Sequence, residues 1–194
     1  MSAWLQRPVS DGLLSLLNRH HQRATLGIAA RVAWRHSVLH VEGGGWATEE
    51  ILPIVGRLAA TSHSPARVAR LERQLASCRY SSAVLVQFAV LDFPAASFDA
   101  VVISNRLHLM SEPAYTLREA HRVLRPGGRL VMETPCHRAS PWLSALMSLA
   151  GFQTGEWLGA SDIEGLVLRA GFRLLESTEL PGPLPLSFVH AIRE

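Results

Sequence analysis

The sequence predicts an α/β protein with an open, mainly parallel sheet, and residues 97–130 are the main reason. Ala100–Ile103 form a short apolar run bounded by polar residues, which is typical of a strand covered on both faces. Pro113 then opens a helix at its first turn, where its missing N–H costs nothing. Residues 125–128 end that helix in a glycine turn, and a second apolar run at Leu130–Met132 starts the next strand. Such a strand–helix–strand unit is a right-handed parallel crossover, the repeating unit of open α/β sheets.

The remaining elements continue this alternation. Ser64 is expected to cap a helix that Pro65 opens, and Gly171 to end the last helix in the left-handed conformation. The predicted strands cover residues 36–41, 57–61, 83–88, 100–104, 129–133, 172–178 and 186–192. The predicted helices cover 11–34 (as one or two helices), 48–56, 65–76, 113–124 and 160–171.

Composition narrows the class of protein. A chain of 194 residues and 21.3 kDa has the length of one domain, and 48% hydrophobic with 18% charged residues indicates a folded globular chain. No apolar run reaches the roughly 20 residues of a membrane span, and no signal peptide is recognised. The two cysteines, Cys78 and Cys136, are too few for a disulfide framework, so a reducing cytoplasm is expected. A net charge of +3 is too small to predict nucleic-acid binding.

The first 35 residues form a cationic, helical N-terminal segment. No acidic residue lies between Asp11 and Glu42, whereas arginines and histidines recur there. One interpretation is a solvated face of an amphipathic helix. The other is a lid, or a docking surface for an acidic substrate, anionic lipid headgroups or a protein partner.

The sequence motifs in residues 97–130 resemble those of a known protein family. Ser-Phe-Asp-x-Val, Leu-His, Leu-Arg-Glu and Val-Leu-Arg-Pro-Gly-Gly follow one another here as they do in class I S-adenosylmethionine (SAM)-dependent methyltransferases of the small-molecule type. The resemblance implies a Rossmann-like, doubly wound sheet of seven strands in the order 3-2-1-4-5-7-6, with an antiparallel C-terminal strand pair. It extends over residues 36–194 and leaves residues 1–35 as a separate N-terminal segment.

The resemblance also implies a SAM site, whose first element is the glycine-rich turn after strand one. Gly44 matches the family's middle glycine, with Gly43 and Gly45 beside it, while Glu42 and Trp46 replace the outer two glycines. The family's acidic residue within that strand is His40 here. The cofactor motif is therefore degenerate.

Three further cofactor positions follow from the same resemblance. Ser62 stands where the family has the acidic residue that binds the ribose hydroxyls, and a hydroxyl cannot match that bidentate charged acceptor. Gln87 falls on the adenine-binding aspartate, with Asp92 as a nearby acidic alternative. Asn105 and Leu107 belong to the segment that packs beside the adenosyl group and the substrate.

His108 is the candidate catalytic residue, because it leaves the strand at the switch point on the substrate side. An imidazole that titrates near neutrality could accept a proton from a phenol or amine. The alternative is a histidine that packs under the following helix. His137 is a weaker candidate base, and the apolar insert at residues 142–152 is either core or a lid over an apolar acceptor. The histidine spacings match no metal site.

These observations predict a SAM-dependent methyltransferase-family protein that acts on a small organic acceptor. The competing hypothesis is a non-catalytic interaction or regulatory subunit with an eroded pocket, which binds a protein partner or a second copy of itself. In that case Glu42 and Trp46 would fill the cofactor space, and a buried Glu42 would need a partner such as His40 or an arginine. Other chemistry on the same fold, such as cyclisation, is a third possibility.

Overall fold

The computed structural model describes residues 24, 26–32, 36–43, 45–76, 78, 80–86, 90–136, 158–181 and 185–194. Its strands are β1 (Ser37–Val41), β2 (Arg57–Ser62), β3 (Ser81–Leu85), β4 (Phe98–Ser104), β5 (Leu124–Pro135), β6 (Phe172–Leu180) and β7 (Leu186–Arg193). Its helices are α1 (26–31), α2 (Gly45–Ile51), α3 (Pro65–Leu75), α4 (Pro113–Val123) and α5 (Ala160–Arg169), with a short 3₁₀ helix at Leu107–Leu109.

Within these residues, seven strands form one sheet in the order β3-β2-β1-β4-β5-β7-β6. The first five strands in that order are parallel, and β7 is antiparallel to both β5 and β6. The predicted neighbour pair is present, since β1 and β4 are parallel with Val38 opposite Ala100. The predicted doubly wound α/β fold and its strand order are confirmed.

Helices cover both faces of the sheet, which explains why its central strands read as continuous apolar runs. One face packs against α4 and α5 through residues such as Leu117 and Ile163. The other face packs against α1, α2 and α3 through Ile28, Ile51 and Leu71. The strand ends rather than the faces are therefore left to build a site.

Residues 26–32 of the N-terminal segment pack on this second face. The Arg31 guanidinium donates to both carboxylate oxygens of Glu176, each at 2.7 Å, and lies 4.6 Å from the centroid of the Phe188 ring. One of the cationic side chains of this segment is thus bound within the fold. Residues 1–23 lie outside the described part of the chain, so the lid and docking interpretations stay predictions.

Several predicted element bounds were wrong. Helix α2 runs from Gly45 to Ile51 instead of 48–56, and β3 begins at Ser81 instead of Ala83. Strand β5 begins at Leu124 directly after α4, because Leu124 already pairs with Phe98, and the chain then bulges before it pairs again at Arg129. The predicted glycine turn is this bulge within the strand.

Two cap predictions can also be compared with the structure. Ser64 is the N-cap residue of α3, but its side chain makes no cap hydrogen bond. Gly171 follows α5 with φ of +95°, as expected of a left-handed helix end. Among the described helices, none combines the length and the apolar character needed to cross a membrane.

The bulge in β5 predicts unequal costs for two neighbouring alanine substitutions. A Cβ at Gly128 would lie 2.8 Å from the carbonyl oxygen of Arg125, whereas a Cβ at Gly127 would meet nothing within 4 Å. We expect Gly128→Ala to lower the free energy of unfolding by about 2 kcal/mol, because backbone must shift. Gly127→Ala should cost about 1 kcal/mol through its φ of +77° alone. Urea unfolding of both variants checks this ranking, and an equal or larger cost at Gly127 would contradict it.

Candidate functional site

The candidate site lies where β1, β2, β4 and β5 end. These four strands are parallel neighbours, so their carboxyl ends lie at one edge of the sheet. In open α/β sheets, ligands bind at this edge, where the strand order reverses. The structure brings the predicted site residues Glu42, Gly43, Ser62, Asn105 and His108 to this edge.

The turn after β1 is bonded to the end of β2. Glu42 adopts φ of +51°, a left-handed conformation that is uncommon for residues other than glycine. The Gly43 N–H donates to the Thr61 carbonyl at 2.9 Å, and a Cβ at Gly43 would lie 3.1 Å from that of Ala60. A glycine at 43 therefore lets the turn lie close against β2. Gly45 is the first residue of α2.

The Glu42 carboxylate is held by groups at the end of β2 and the start of α3. Its Oε2 accepts a hydrogen bond from Ser62 Oγ at 3.1 Å. Its Oε1 accepts one from the His63 backbone N–H at 2.8 Å and lies 2.8 Å from His63 Nδ1. Arg67 completes the set, with a guanidinium nitrogen 3.6 Å from Oε2. The carboxylate from the turn after β1 thus lies beside Ser62, at the end of β2.

His40 does not partner Glu42. It is fully buried within β1, and its Nδ1 lies 2.9 Å from Thr48 Oγ1 of α2, while its Nε2 has no hydrogen-bond partner. Burial, reinforced by the nearby positive charge of Arg106, lowers the pKa of His40 to about 3. A neutral imidazole cannot neutralise a carboxylate. Of the two alternatives named for a partner of Glu42, His40 or an arginine, the structure has the arginine, Arg67.

A second carboxyl group, Glu133, is buried at the end of β5. One of its oxygens accepts a hydrogen bond from Ser104 Oγ at 2.8 Å, and the other has no partner. Its backbone carbonyl accepts the Asn105 N–H at 2.8 Å, which anchors the left-handed residue that follows β4. Burial raises the pKa of Glu133 to about 7, and this outweighs the opposing effects of Ser104, Arg106 and Asn105.

His108 lies on the 3₁₀ helix after β4 and contacts the end of β5. Its Nδ1 is 3.2 Å from Thr134 Oγ1, so the end of β5 orients its ring. The imidazole is half-buried, whereas Leu107 beside it is fully buried against Ile103 and Leu117 in the core. The bond to Thr134 positions the ring at the strand ends.

Arg106, which follows β4, adds a cation to this edge of the sheet. It interacts electrostatically with Glu42, Glu133 and Arg67, and burial lowers its pKa. Among the residues that the structure describes, this edge carries the acidic side chains of Glu42 and Glu133 and the basic side chains of Arg67 and Arg106.

Some predicted positions lie outside the described residues. They are Gly44, Gln87, His137, residues 142–152 and the side chain of Trp46. Asp92, the alternative to Gln87, is exposed. In the ranges that the structure describes, no group of histidine, cysteine and acidic side chains could hold a metal ion.

Three charged residues at this edge were not predicted from the sequence as site residues, namely Arg67, Arg106 and Glu133. Glu133 had a detectable signal, because it is an acidic residue that directly follows the apolar run Leu130–Met132 near a strand end. Arg67 had no such signal in the sequence, because it matters only through its contact with Glu42, whose side chain extends from the end of β1 to the end of β2.

Comparison with known proteins agrees with this architecture. A methyltransferase-domain family model matches residues 41–132. A highly reducing polyketide synthase of Penicillium soppii is 27% identical over 172 residues, which is 81% of this chain and 7% of the synthase. The chain thus spans a small part of that relative's length.

Two solved structures share the fold across most of their length. A geranyl diphosphate methyltransferase in complex with SAM superposes with a TM-score of 0.76 at 14% identity, covering 98% of this chain and 94% of that one. The [4+2]-cyclase SpnF superposes with a TM-score of 0.74 at 19% identity, covering 89% of this chain and 80% of that one. At such identities the likeness concerns the fold.

The chain therefore has a methyltransferase-domain match over residues 41–132 and the seven-stranded sheet of a Rossmann-like methyltransferase fold.

Proposed function

We propose that this protein binds SAM and transfers its methyl group to a small organic acceptor. The observation that carries the proposal is the pair of Glu42 and Ser62 at the ends of β1 and β2, whose oxygens lie 3.1 Å apart. Ser62 is buried and donates to this carboxylate, whose two oxygens can accept from the hydroxyls of a vicinal diol such as ribose. The family match supports the proposal, because it runs from the end of β1 into β5 and covers these strand ends.

The charges at the edge also fit SAM. The cofactor supplies an electrophilic methyl group on a sulfonium, together with a methionine carboxylate that needs a cation. Arg106 provides that positive charge, while the contacts of Glu42 with Ser62 and Arg67 turn its carboxylate toward β2. The repulsion between Glu42 and the methionine carboxylate is thereby reduced. Asn105 would pack beside the adenosyl group, while Leu107, which is fully buried in the core, would hold that segment in place.

On the acceptor side we assign His108 as the proton-accepting residue. If its Nδ1–H donates to Thr134 Oγ1, that tautomer places the basic lone pair on Nε2. Methyl transfer depends mainly on alignment of the nucleophile with the methyl group, so the base matters most for weak nucleophiles. We place the reaction in the cytoplasm, which agrees with Cys78 and Cys136 forming no disulfide.

Calorimetric titration with SAM and with its demethylated product, S-adenosylhomocysteine, tests the proposal. We expect both to bind with micromolar dissociation constants, because the diol and the carboxylate ends of the ligand each meet an opposite partner. A well-folded protein that gives no heat at millimolar ligand would overturn the proposal.

One observation favours the non-catalytic alternative. The Glu42 carboxylate already contacts Ser62, His63 and Arg67, and its side chain is only 10% exposed. A protein that had lost its cofactor could keep such an ion-pair network and use its surface to bind a protein partner or a second copy. The non-catalytic alternative predicts that the calorimetric titration gives no binding heat. It predicts instead that the protein self-associates or binds a protein partner.

A further inference from the structure

The position of Glu42 implies a specific role, which rests on the proposed function. The resemblance places a ribose-binding acid at position 62, where this chain has a serine. The structure has a carboxylate at the same strand end, but it comes from residue 42, which is 20 residues earlier in the chain. Its side chain reaches β2 because the turn after β1 is bonded to Thr61 and because Glu42 takes φ of +51°.

The left-handed conformation has a cost that the contacts of the carboxylate offset. A residue other than glycine is destabilised in this region, because its Cβ crowds the following carbonyl oxygen. Hydrogen bonds to a charged group are stronger than neutral ones, and Glu42 accepts two of them, from Ser62 Oγ and from the His63 backbone N–H. The carboxylate is therefore held in place before any ligand binds.

The hydrogen-bonding capacity of this carboxylate leaves room for a diol. Its two oxygens offer about four lone-pair sites. Ser62 Oγ occupies one site on Oε2, and Arg67 is too distant, at 3.6 Å, for a short bond to the second. On Oε1, one site is taken by the imidazole of His63. The His63 side chain is 66% exposed, so it can rotate into water without disturbing the core.

We propose that Glu42 is the ribose-binding carboxylate of this protein, supplied by the turn after β1 in place of an acid at position 62. One ribose hydroxyl donates to the remaining site on Oε2. The other replaces the His63 imidazole on Oε1, so His63 is the group that a nucleoside with free 2′ and 3′ hydroxyls displaces.

Three variants and one control test this assignment by calorimetric titration with S-adenosylhomocysteine. Glu42→Gln should weaken binding by about tenfold or more, because an amide accepts one of the two hydroxyl bonds at most. The double change Glu42→Gly and Ser62→Asp moves the carboxylate to β2 and should restore affinity to within about threefold of the unmodified protein. His63→Ala should keep or raise the affinity, since it removes the competing imidazole. Glu72→Gln, at an exposed position on α3, is the matched control and should bind as the unmodified protein does.

A second probe isolates the diol. The unmodified protein should bind adenosine about tenfold more tightly than 2′,3′-dideoxyadenosine, and Glu42→Gln should lose most of that preference. If the protein binds S-adenosylhomocysteine but Glu42→Gln leaves both affinity and preference unchanged, the relocation is wrong and the proposed function stands. If the unmodified protein binds neither ligand, both are wrong. A large loss of affinity in His63→Ala would contradict the displacement of His63.

Discussion

Replacement of Glu133 by glutamine is expected to change how the free energy of unfolding depends on pH. The free energy of unfolding of the variant, minus that of the unmodified protein, should increase by about 2–3 kcal/mol between pH 5 and pH 8. The pKa of Glu133 is raised to about 7 from an ordinary value of 4.5. The native state therefore holds a proton that the unfolded chain has already released. The stability that the protonated carboxyl contributes is present in full below pH 4.5 and is lost as pH rises through 7.

Glutamine is a close match for the protonated carboxyl, because it keeps an oxygen for Ser104 Oγ and carries no charge. Urea unfolding of both proteins at several pH values between 4.5 and 8.5 measures the effect. The control is Glu72→Gln on the exposed face of α3, which should change the free energy of unfolding by less than about 0.5 kcal/mol throughout. Parallel profiles for Glu133→Gln and the unmodified protein would show that Glu133 does not hold its proton near neutral pH.

His40 is expected to change the pH dependence of the free energy of unfolding in the opposite direction and by a similar amount. Its pKa falls from 6.5 to about 3 in the folded protein, so the unfolded chain takes up a proton that the native state refuses. The stability that neutral His40 contributes is complete above pH 6.5 and is lost as pH falls toward 3. We expect this loss to reach about 2 kcal/mol at pH 5, and His40→Gln should remove it.

The same urea experiments at pH 5 and pH 8 measure this slope. Thr48→Val is a useful control, because it deletes the hydroxyl 2.9 Å from His40 Nδ1 but keeps the imidazole buried. It should cost about 1 kcal/mol at both pH values and retain the slope. In the unmodified protein the contributions of Glu133 and His40 offset each other between pH 5 and pH 8, so only the single variants separate them. An unchanged acid slope in His40→Gln would contradict the assignment.

Much of the fold could be predicted from local sequence. The apolar run Ala100–Ile103, the helix-opening Pro113 and the helix-ending Gly171 each predicted a feature that the structure confirms. These signals depend on a few neighbouring residues, whose backbone preferences and spacing are the same in any context. The wording of residues 97–130 added the strand order through its resemblance to a family.

Element bounds were predicted less well, because pairing partners decide them. Residues 125–128 read as a turn, yet Leu124 belongs to β5 because it lies opposite Phe98 in the sheet. No pattern within residues 124–128 identifies a partner so far away along the chain.

In the candidate site, too, some features follow from local sequence and others depend on which strands are neighbours. The sequence by itself determined the α/β alternation, the family resemblance and the absence of an acid at position 62. Only the tertiary structure decided that the carboxylate of Glu42 reaches Ser62, and that Glu133 is buried beside Ser104. The physical reason is that the surroundings of a side chain, and hence its charge and its partners, depend on which strands lie side by side. That arrangement joins residues 20 and 29 positions apart in the chain, beyond the reach of any local pattern.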